Sequence, residues 1–287
     1  RGVLRRVGSG KHVHLKVPDA TVAPLADTIL LISSLPPGQL CRPSAPGRAI
    51  RIVVGVLAGL NEAGRDTLLT HPATVSKERF DAWRAGGLGG IVITEPLNAV
   101  GCAGVAALQR AGTAVVIYGD ALTMSGADSV CSDHHLGGDV TVRHLASRGY
   151  RRLLPTMPAG IPSAPWVEGR RHGWRDACRE LGLAELPEIS LPCQQTSDPG
   201  TFTQHVRVVV GVLAETITGP YPPDAILTVN DGHAVVVKAA CALLHRPMIA
   251  IAGYDNLWAD LHDHERAQGQ PDCSIDKCNE TIGRALA

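Results

Sequence analysis

The stretch DAILTVND (224–231), followed after Gly232 by HAVVVKAACALLH (233–245), decides how this chain folds. Ala225–Val229 is a short apolar run bounded by Pro222-Pro223 and Asn230-Asp231, as expected of a strand covered on both faces. The segment after it is long enough, and apolar on enough of its turns, to be a helix. A buried strand that ends in polar residues and turns directly into a helix is half of a βαβ unit. Parallel sheets with right-handed crossovers follow from that unit when it repeats.

It repeats along most of the chain. Apolar runs of strand length are TILLISSL (28–35), DTLLTH (66–71), GGIVIT (89–94), AVVIYGD (114–120), DSVCSD (128–133), RRLLPTM (151–157), ISLPCQQ (189–195) and PMIAIAGYDN (247–256), the last of which closes the β series. Helical patterns lie between them at 48–64, 76–88, 101–112, 135–150, 167–183 and 202–219, and a final helix is expected over 274–287. The 48–64 segment is rich in Val and Ile, but its apolar positions Ile50, Val53, Val54, Val56, Leu57 and Leu60 follow helical spacing. Ser76 is the expected N-cap of the 76–88 helix. Its 287 residues suffice for two lobes, 45% apolar and 19% charged residues are ordinary for a globular protein, and formal net charge is zero. Aromatic residues make up only 3%, which leaves few rings for ligand stacking.

In sheets of this kind ligands sit in a crevice at the C-terminal ends of the strands. The residues there are Ser33 and Ser34, His71, Thr94 and Glu95, Asp120, Asp133, Asn230 and Asp231, and Asp255. None belongs to a G-x-G-x-x-G or G-x-x-x-x-G-K-[ST] phosphate loop, so nucleotide binding of those types is not expected. Carboxylates, amides, hydroxyls and one planar guanidinium suit the vicinal hydroxyls of a sugar or polyol. Arg170 opens the motif Arg-Arg-His-Gly-Trp. Arg171 is expected on a solvated face and Trp174 in the core, while Trp166 is either a stacking platform for the ligand or a loop residue.

No catalytic set emerges. There is no G-x-S-x-G, and Cys131 beside His134 and His135 is too weak a thiol–imidazole arrangement to carry catalysis. The same Cys-Ser-Asp-His-His run has no metal-ligand spacing, and neither a metal nor another cofactor is expected. Eight scattered cysteines without a C-x-x-C read as buried free thiols of a cytoplasmic protein. No apolar run approaches the ~20 residues that cross a bilayer.

Taken in order, GGIVITEPL, SDHHLGGDVTVRHLASRGYRRL, RRHGWRDACRELGL, PPDAILTVNDGHAVVVKAA, IAIAGYDN and SIDKCNETIGRALA resemble the effector-binding domain of the LacI/GalR family over about residues 28–287. The resemblance implies an α/β fold of the periplasmic-binding-protein type I, with two doubly wound parallel-sheet lobes and a cleft between them. The lobes would be 27–130 with 275–287, and 131–274. It further implies that Arg170, Asn230 and Asp255 bind the hydroxyls of an effector, with Thr94 a polar contact. Asp120 stands one residue beyond the position where the family often has an aspartate, because Gly119 occupies that place.

The opening RGVLRRVGSGKHV (1–13) is different. It resembles the wing of a GntR-type winged helix, with Lys11-His12 in place of the commoner Thr-Phe. A wing remnant over 1–17, a linker over 18–26 and a LacI-type domain together are similar to sugar-responsive repressors of the arabinose-repressor type. Arg5, Arg6, Ser9, Gly10 and Lys11 would then be DNA contacts. The implied protein is a homodimeric transcriptional regulator that binds operator DNA and a small sugar or polyol. The apolar helix containing IRIVVGVLAGL either contributes to the dimer interface or is simply buried on its own sheet. An exported sugar-binding protein of a transport system would share the fold and the cleft, and an α/β enzyme would share the fold.

Overall fold

A computed structural model describes residues 25–35, 47–120, 124–160, 164–192 and 198–287. The basic opening with Arg5, Arg6, Ser9, Gly10 and Lys11, the linker up to residue 24, and Cys41 and Cys193 lie outside the described residues.

The chain forms two parallel sheets. The first contains β1 (Thr28–Ile32), β2 (Asp66–Thr70), β3 (Gly90–Ile93), β4 (Ala114–Tyr118) and β5 (Asp128–Val130), in the order β2-β1-β3-β4-β5. The second contains β6 (Arg152–Pro158), β7 (Ala184–Glu185), β8 (Ile189–Leu191), β9 (Ala225–Leu227), β10 (Ala250–Tyr254) and β11 (Cys273–Ile275). Its order is β11-β10-β9-β6-β7, with β8 also paired to β6. Every pairing is parallel. Each sheet therefore reverses strand order next to its own first strand, the topology that opens a ligand crevice at the strand C-termini.

Nine α-helices among the described residues cover these sheets: α1 (Gly47–Glu62), α2 (Lys77–Gly86), α3 (Ala99–Arg110), α4 (His134–Ser147), α5 (Pro165–Glu180), α6 (Pro199–Thr218), α7 (Asp231–Leu243), α8 (Asp263–Arg266) and α9 (Asn279–Leu286). β1 illustrates why its strand is apolar throughout. Leu30 and Ile32 pack against Phe80, Trp83 and Leu108 of α2 and α3, and Leu31 packs on the other face against Val53, Val56 and Leu286 of α1 and α9. In the second sheet Leu154, Ile226 and Ile251 meet α6 and α7, while Leu153, Leu227 and Ala252 meet α4 and α5.

α1 is helical despite its β-branched content. Such residues cost at most ~0.7 kcal/mol each in helix propensity, whereas burying each of Ile52, Val53, Val56 and Leu60 against the first sheet contributes about 1.5–3 kcal/mol. Burial wins. Ser76 caps α2 as expected, accepting the Arg79 N–H at 3.4 Å.

Four sequence expectations need correction. The β series does not close at Tyr254, because Cys273–Ile275 pairs with β10 as β11, and the final helix begins at Asn279 and not at Ser274. Cys273, Ser274 and Ile275 run straight into the helical pattern behind them, and pairing with β10 makes them a strand. Arg171 is not solvated: it ion-pairs with Glu168 and takes a two-pronged hold on Glu188, at 2.7 and 2.8 Å, with its side chain 17% exposed. The six described cysteines are free, but only Cys178 and Cys241 are buried, while Cys102, Cys131 and Cys278 are exposed. Among the described residues, no helix is long and apolar enough to cross a membrane.

Candidate functional site

The chain passes between the sheets from β5 into α4, and again from β11 into α9, which returns to lie along α1. Most charged side chains that matter cluster beside these two crossings. Asp120 follows β4. One oxygen of its carboxylate accepts the Ser132 N–H at 2.8 Å; the other accepts the Tyr118 hydroxyl at 2.7 Å, the Ser132 hydroxyl at 2.9 Å and the Lys277 ammonium at 3.0 Å. His134 Nε2, at the head of α4, lies 2.9 Å from that second oxygen. Burial opposes ionisation of Asp120, but the bond from His134 and the charge of Lys277 outweigh it and hold the carboxyl far below the usual carboxylate range.

Lys277 sits in the β11–α9 segment. Besides Asp120 it reaches Tyr118 Oη at 3.1 Å and Asp255 Oδ1 at 3.2 Å. Asp255 follows β10 in the left-handed backbone region (φ 85°), as does Asn256 (φ 50°), an uncommon conformation for non-glycine residues that clusters at functional sites. Its Oδ1 has that ion pair but no hydrogen bond.

Arg170 comes from α5 and is 4% exposed. Its guanidinium donates to the Val229 carbonyl and, at 3.3 Å, to His134 Nδ1. It lies 3.6 Å from the centroid of the Tyr254 ring and 4.9 Å from that of Trp166. Desolvation lowers its pKa, against the raising effect of Asp255, and desolvation pushes the Tyr254 phenol up to about 12. α5 can bring Arg170 this close to α4 because Gly173 packs against the α4 backbone: a Cβ there would fall 2.0 Å from the His135 carbonyl oxygen. Asn230, one residue beyond Val229, caps α7 by accepting the His233 N–H at 2.8 Å, which leaves its amide NH2 as the donor it can offer. Asp231 is buried and binds the Leu257 N–H and the Ser274 hydroxyl, with its pKa raised by desolvation. It is a structural carboxylate.

An open cleft of about 470 Å³ runs beside this cluster; Asp120, Ser132, His134, Trp166 and Gly169 are among the residues that line it, and Arg170, Asn230 and Asp255 are not. A second cavity of about 270 Å³, between Trp174, Leu153 and Leu227 behind α5, shares no lining residue with it. Arg170, Asp255, Asp120 and Trp166 are thus brought together, with Asn230 adjacent through Val229. The remaining residues singled out in the sequence lie on the first lobe. Thr94 turns its hydroxyl back to the Ile32 carbonyl at 3.4 Å, His71 Nδ1 accepts the Ala73 N–H at 3.1 Å, Ser34 is exposed while Ser33 is buried, and Glu95 is half-buried. Trp174 is in the core, as expected. Sequence reasoning missed Lys277, His134, Tyr118 and Tyr254. Lys277 is one of two cations in the matched final motif, with Arg284, and stands in the segment ahead of the helix; His134 carries a sequence signal only as a weak catalytic base or metal ligand. His135 pairs instead with Asp176 at 3.0 Å, so it does not serve Cys131. Among the described residues no group of three or more His, Cys, Asp or Glu side chains could hold a metal.

The periplasmic binding protein-like domain matches residues 142–262 of the chain. Solved structures agree over far more of it. The fold is that of a periplasmic-binding-protein-like domain of type I. A LacI-family regulatory protein from Chloroflexus aggregans superposes with a TM-score of 0.65 at 17% identity, covering 91% of this chain and 88% of that one. The transcriptional regulator CelR in complex with cellobiose gives 0.61 at 20% identity, with 91% and 76% covered. GanP, a glucose-galactose binding protein from Geobacillus stearothermophilus, gives 0.60 at 16% identity, with 90% and 88% covered. No curated protein matches the chain in sequence.

Proposed function

We propose that this chain is the effector-binding part of a LacI-type transcriptional regulator, and that an uncharged sugar or polyol binds in the cleft. The observation that carries the ligand class is charge balance. The two buried cations, Arg170 and Lys277, are already faced by the carboxylates of Asp120 and Asp255, with the buried Asp231 beside Asp255, so the site has no cation to spare for an anionic ligand. Arg170 and Asp255 offer a fixed donor fork and an acceptor, Asn230 adds an amide, and the half-buried Trp166 ring supplies an apolar face. The similar structures include a cellobiose complex and a glucose-galactose binding protein, which agrees with this class. Thr94, Glu95, Ser34 and His71 stay in the reading as contacts from the first lobe. No residue of the cleft is given a catalytic role.

Operator binding would come from the GntR-type wing at residues 1–17, with Arg5, Arg6, Ser9, Gly10 and Lys11 at the phosphates or groove, in a cytoplasmic homodimer. The effector can alter that binding only through its difference in affinity for two closure states. The exported sugar-binding protein is the second reading, favoured by the likeness to GanP. A thermal-shift panel of pentoses, hexoses and polyols, each beside its phosphorylated or carboxylated form, tests the ligand class: neutral members should stabilise and anionic ones should not. Stabilisation by the anionic forms alone would overturn it. Sequence upstream of residue 1 separates the two readings, through a helix-turn-helix or a signal peptide.

A further inference from the structure

We infer that Lys277 is the positioning residue of the cleft: its ammonium draws Asp120 of the first lobe and Asp255 of the second onto one point and so fixes the closure angle before any effector binds. An ammonium has three N–H donors, and three oxygens surround this one: Tyr118 Oη at 3.1 Å, Asp120 Oδ2 at 3.0 Å and Asp255 Oδ1 at 3.2 Å. Tyr118 and Asp120 belong to the end of β4 in the first sheet, and Asp255 to the end of β10 in the second. The lysine itself stands in one of the two segments that join the lobes.

His134 adds a second tie. It heads α4, on the second lobe, and places Nε2 2.9 Å from the same Asp120 oxygen while its Nδ1 receives Arg170. Side-chain exposures are 2% for Lys277, 3% for Asp120, 6% for Asp255 and 8% for His134, so water does not screen these contacts. Rotation of the lobes about the crossing segments would separate Asp120 from Asp255 and His134. Each of those groups would then need a new partner or exposure to water, which makes the angle seen here a discrete state. Lys277 bonds Tyr118 and Asp120 and ion-pairs with Asp255, and it acts on an effector through Asp255, whose position it sets. This inference needs no particular effector and stands or falls apart from the sugar reading.

Pulsed electron–electron resonance tests it, on the protein without added ligand. Nitroxides are placed on Cys102 of α3 and on Met248→Cys beyond α7, both exposed, with the other surface cysteines changed to serine. The parent should give one narrow distance distribution. Lys277→Gln and Asp120→Asn should each broaden it or shift it by several ångströms, and the double variant should do no more than either single one. A distribution unchanged in Lys277→Gln overturns the inference, as does additive behaviour of the pair. If the lysine variant does not fold, Asp255→Asn decides. It removes the second-lobe charge from Lys277 and leaves the Lys277–Asp120 pair in place, and broadening supports the inference while an unchanged distribution ends it.

Discussion

The Arg170 guanidinium lies 3.6 Å from the centroid of the Tyr254 ring, closer than its 4.9 Å approach to Trp166. Stacking on Tyr254 and the bond to the Val229 carbonyl fix the plane of the fork that would meet ligand hydroxyls. Lysine can supply the charge but neither the plane nor the two-pronged donor. Arg170→Lys should therefore weaken binding of a stabilising sugar by tenfold or more, and Tyr254→Leu by about 2- to 30-fold, the range of a partly desolvated cation–π contact of about 0.5–2 kcal/mol. Isothermal titration reads both, with far-UV circular dichroism checking that each variant is folded.

His233 is 7% exposed at the start of α7, its ring 6.2 Å from that of His205. Burial, with the neighbouring His205, pushes its pKa down from 6.5 to about 4. The folded state thus holds the neutral ring while the unfolded chain takes up a proton below 6.5. Stability from this group is complete above pH 6.5 and is lost as pH falls towards 4, by about 3 kcal/mol across the window. The melting temperature should fall over that range, and His233→Gln should fall less steeply. Parallel pH profiles of parent and variant would contradict the assignment.

α9 meets the backbone of α1 directly where Gly283 crosses Gly55. A Cβ on Gly283 would sit 2.1 Å from the Ile52 carbonyl oxygen and 2.8 Å from the Gly55 Cα. Gly283→Ala should force the helices apart and cost about 1–3 kcal/mol, the usual penalty for overpacking a tight core. Urea denaturation measures it as a lower midpoint with little change in slope.

Much of this architecture is legible in the sequence because buried parallel strands read as uninterrupted apolar runs. TILLI, GIVI and AIAGY are such runs, and each has helices on both faces. β11 is not legible, since three residues with polar neighbours carry no periodicity and gain their identity from pairing with β10. The site divides the same way. Arg170, Asn230 and Asp255 stand at strand ends or in a recognisable helix motif, which sequence order exposes. Lys277 and His134 matter because two lobes meet, a relation between residues 14 to 157 positions apart from their Asp120 partner. The environment of Arg171 was misread for a related reason: Glu188, which buries it, comes from the loop after β7.

If the opening segment contacts DNA phosphates, replacing Arg5 and Arg6 by alanine in the full-length protein should weaken operator binding. Each lost phosphate contact should reduce the slope of log K against log salt by about 0.9. Fluorescence anisotropy at several salt concentrations gives that slope directly. Equal slopes for parent and variant would remove these arginines from the interface.

The Arg170–Asn230–Asp255 cluster is the proposed receptor of a neutral sugar or polyol. Its most direct test is isothermal titration of the most stabilising neutral sugar into the parent and into Asp255→Ala. The parent should show saturable one-site binding, and the variant, which remains folded, at least a tenfold loss. Equal affinity in the two proteins would contradict it.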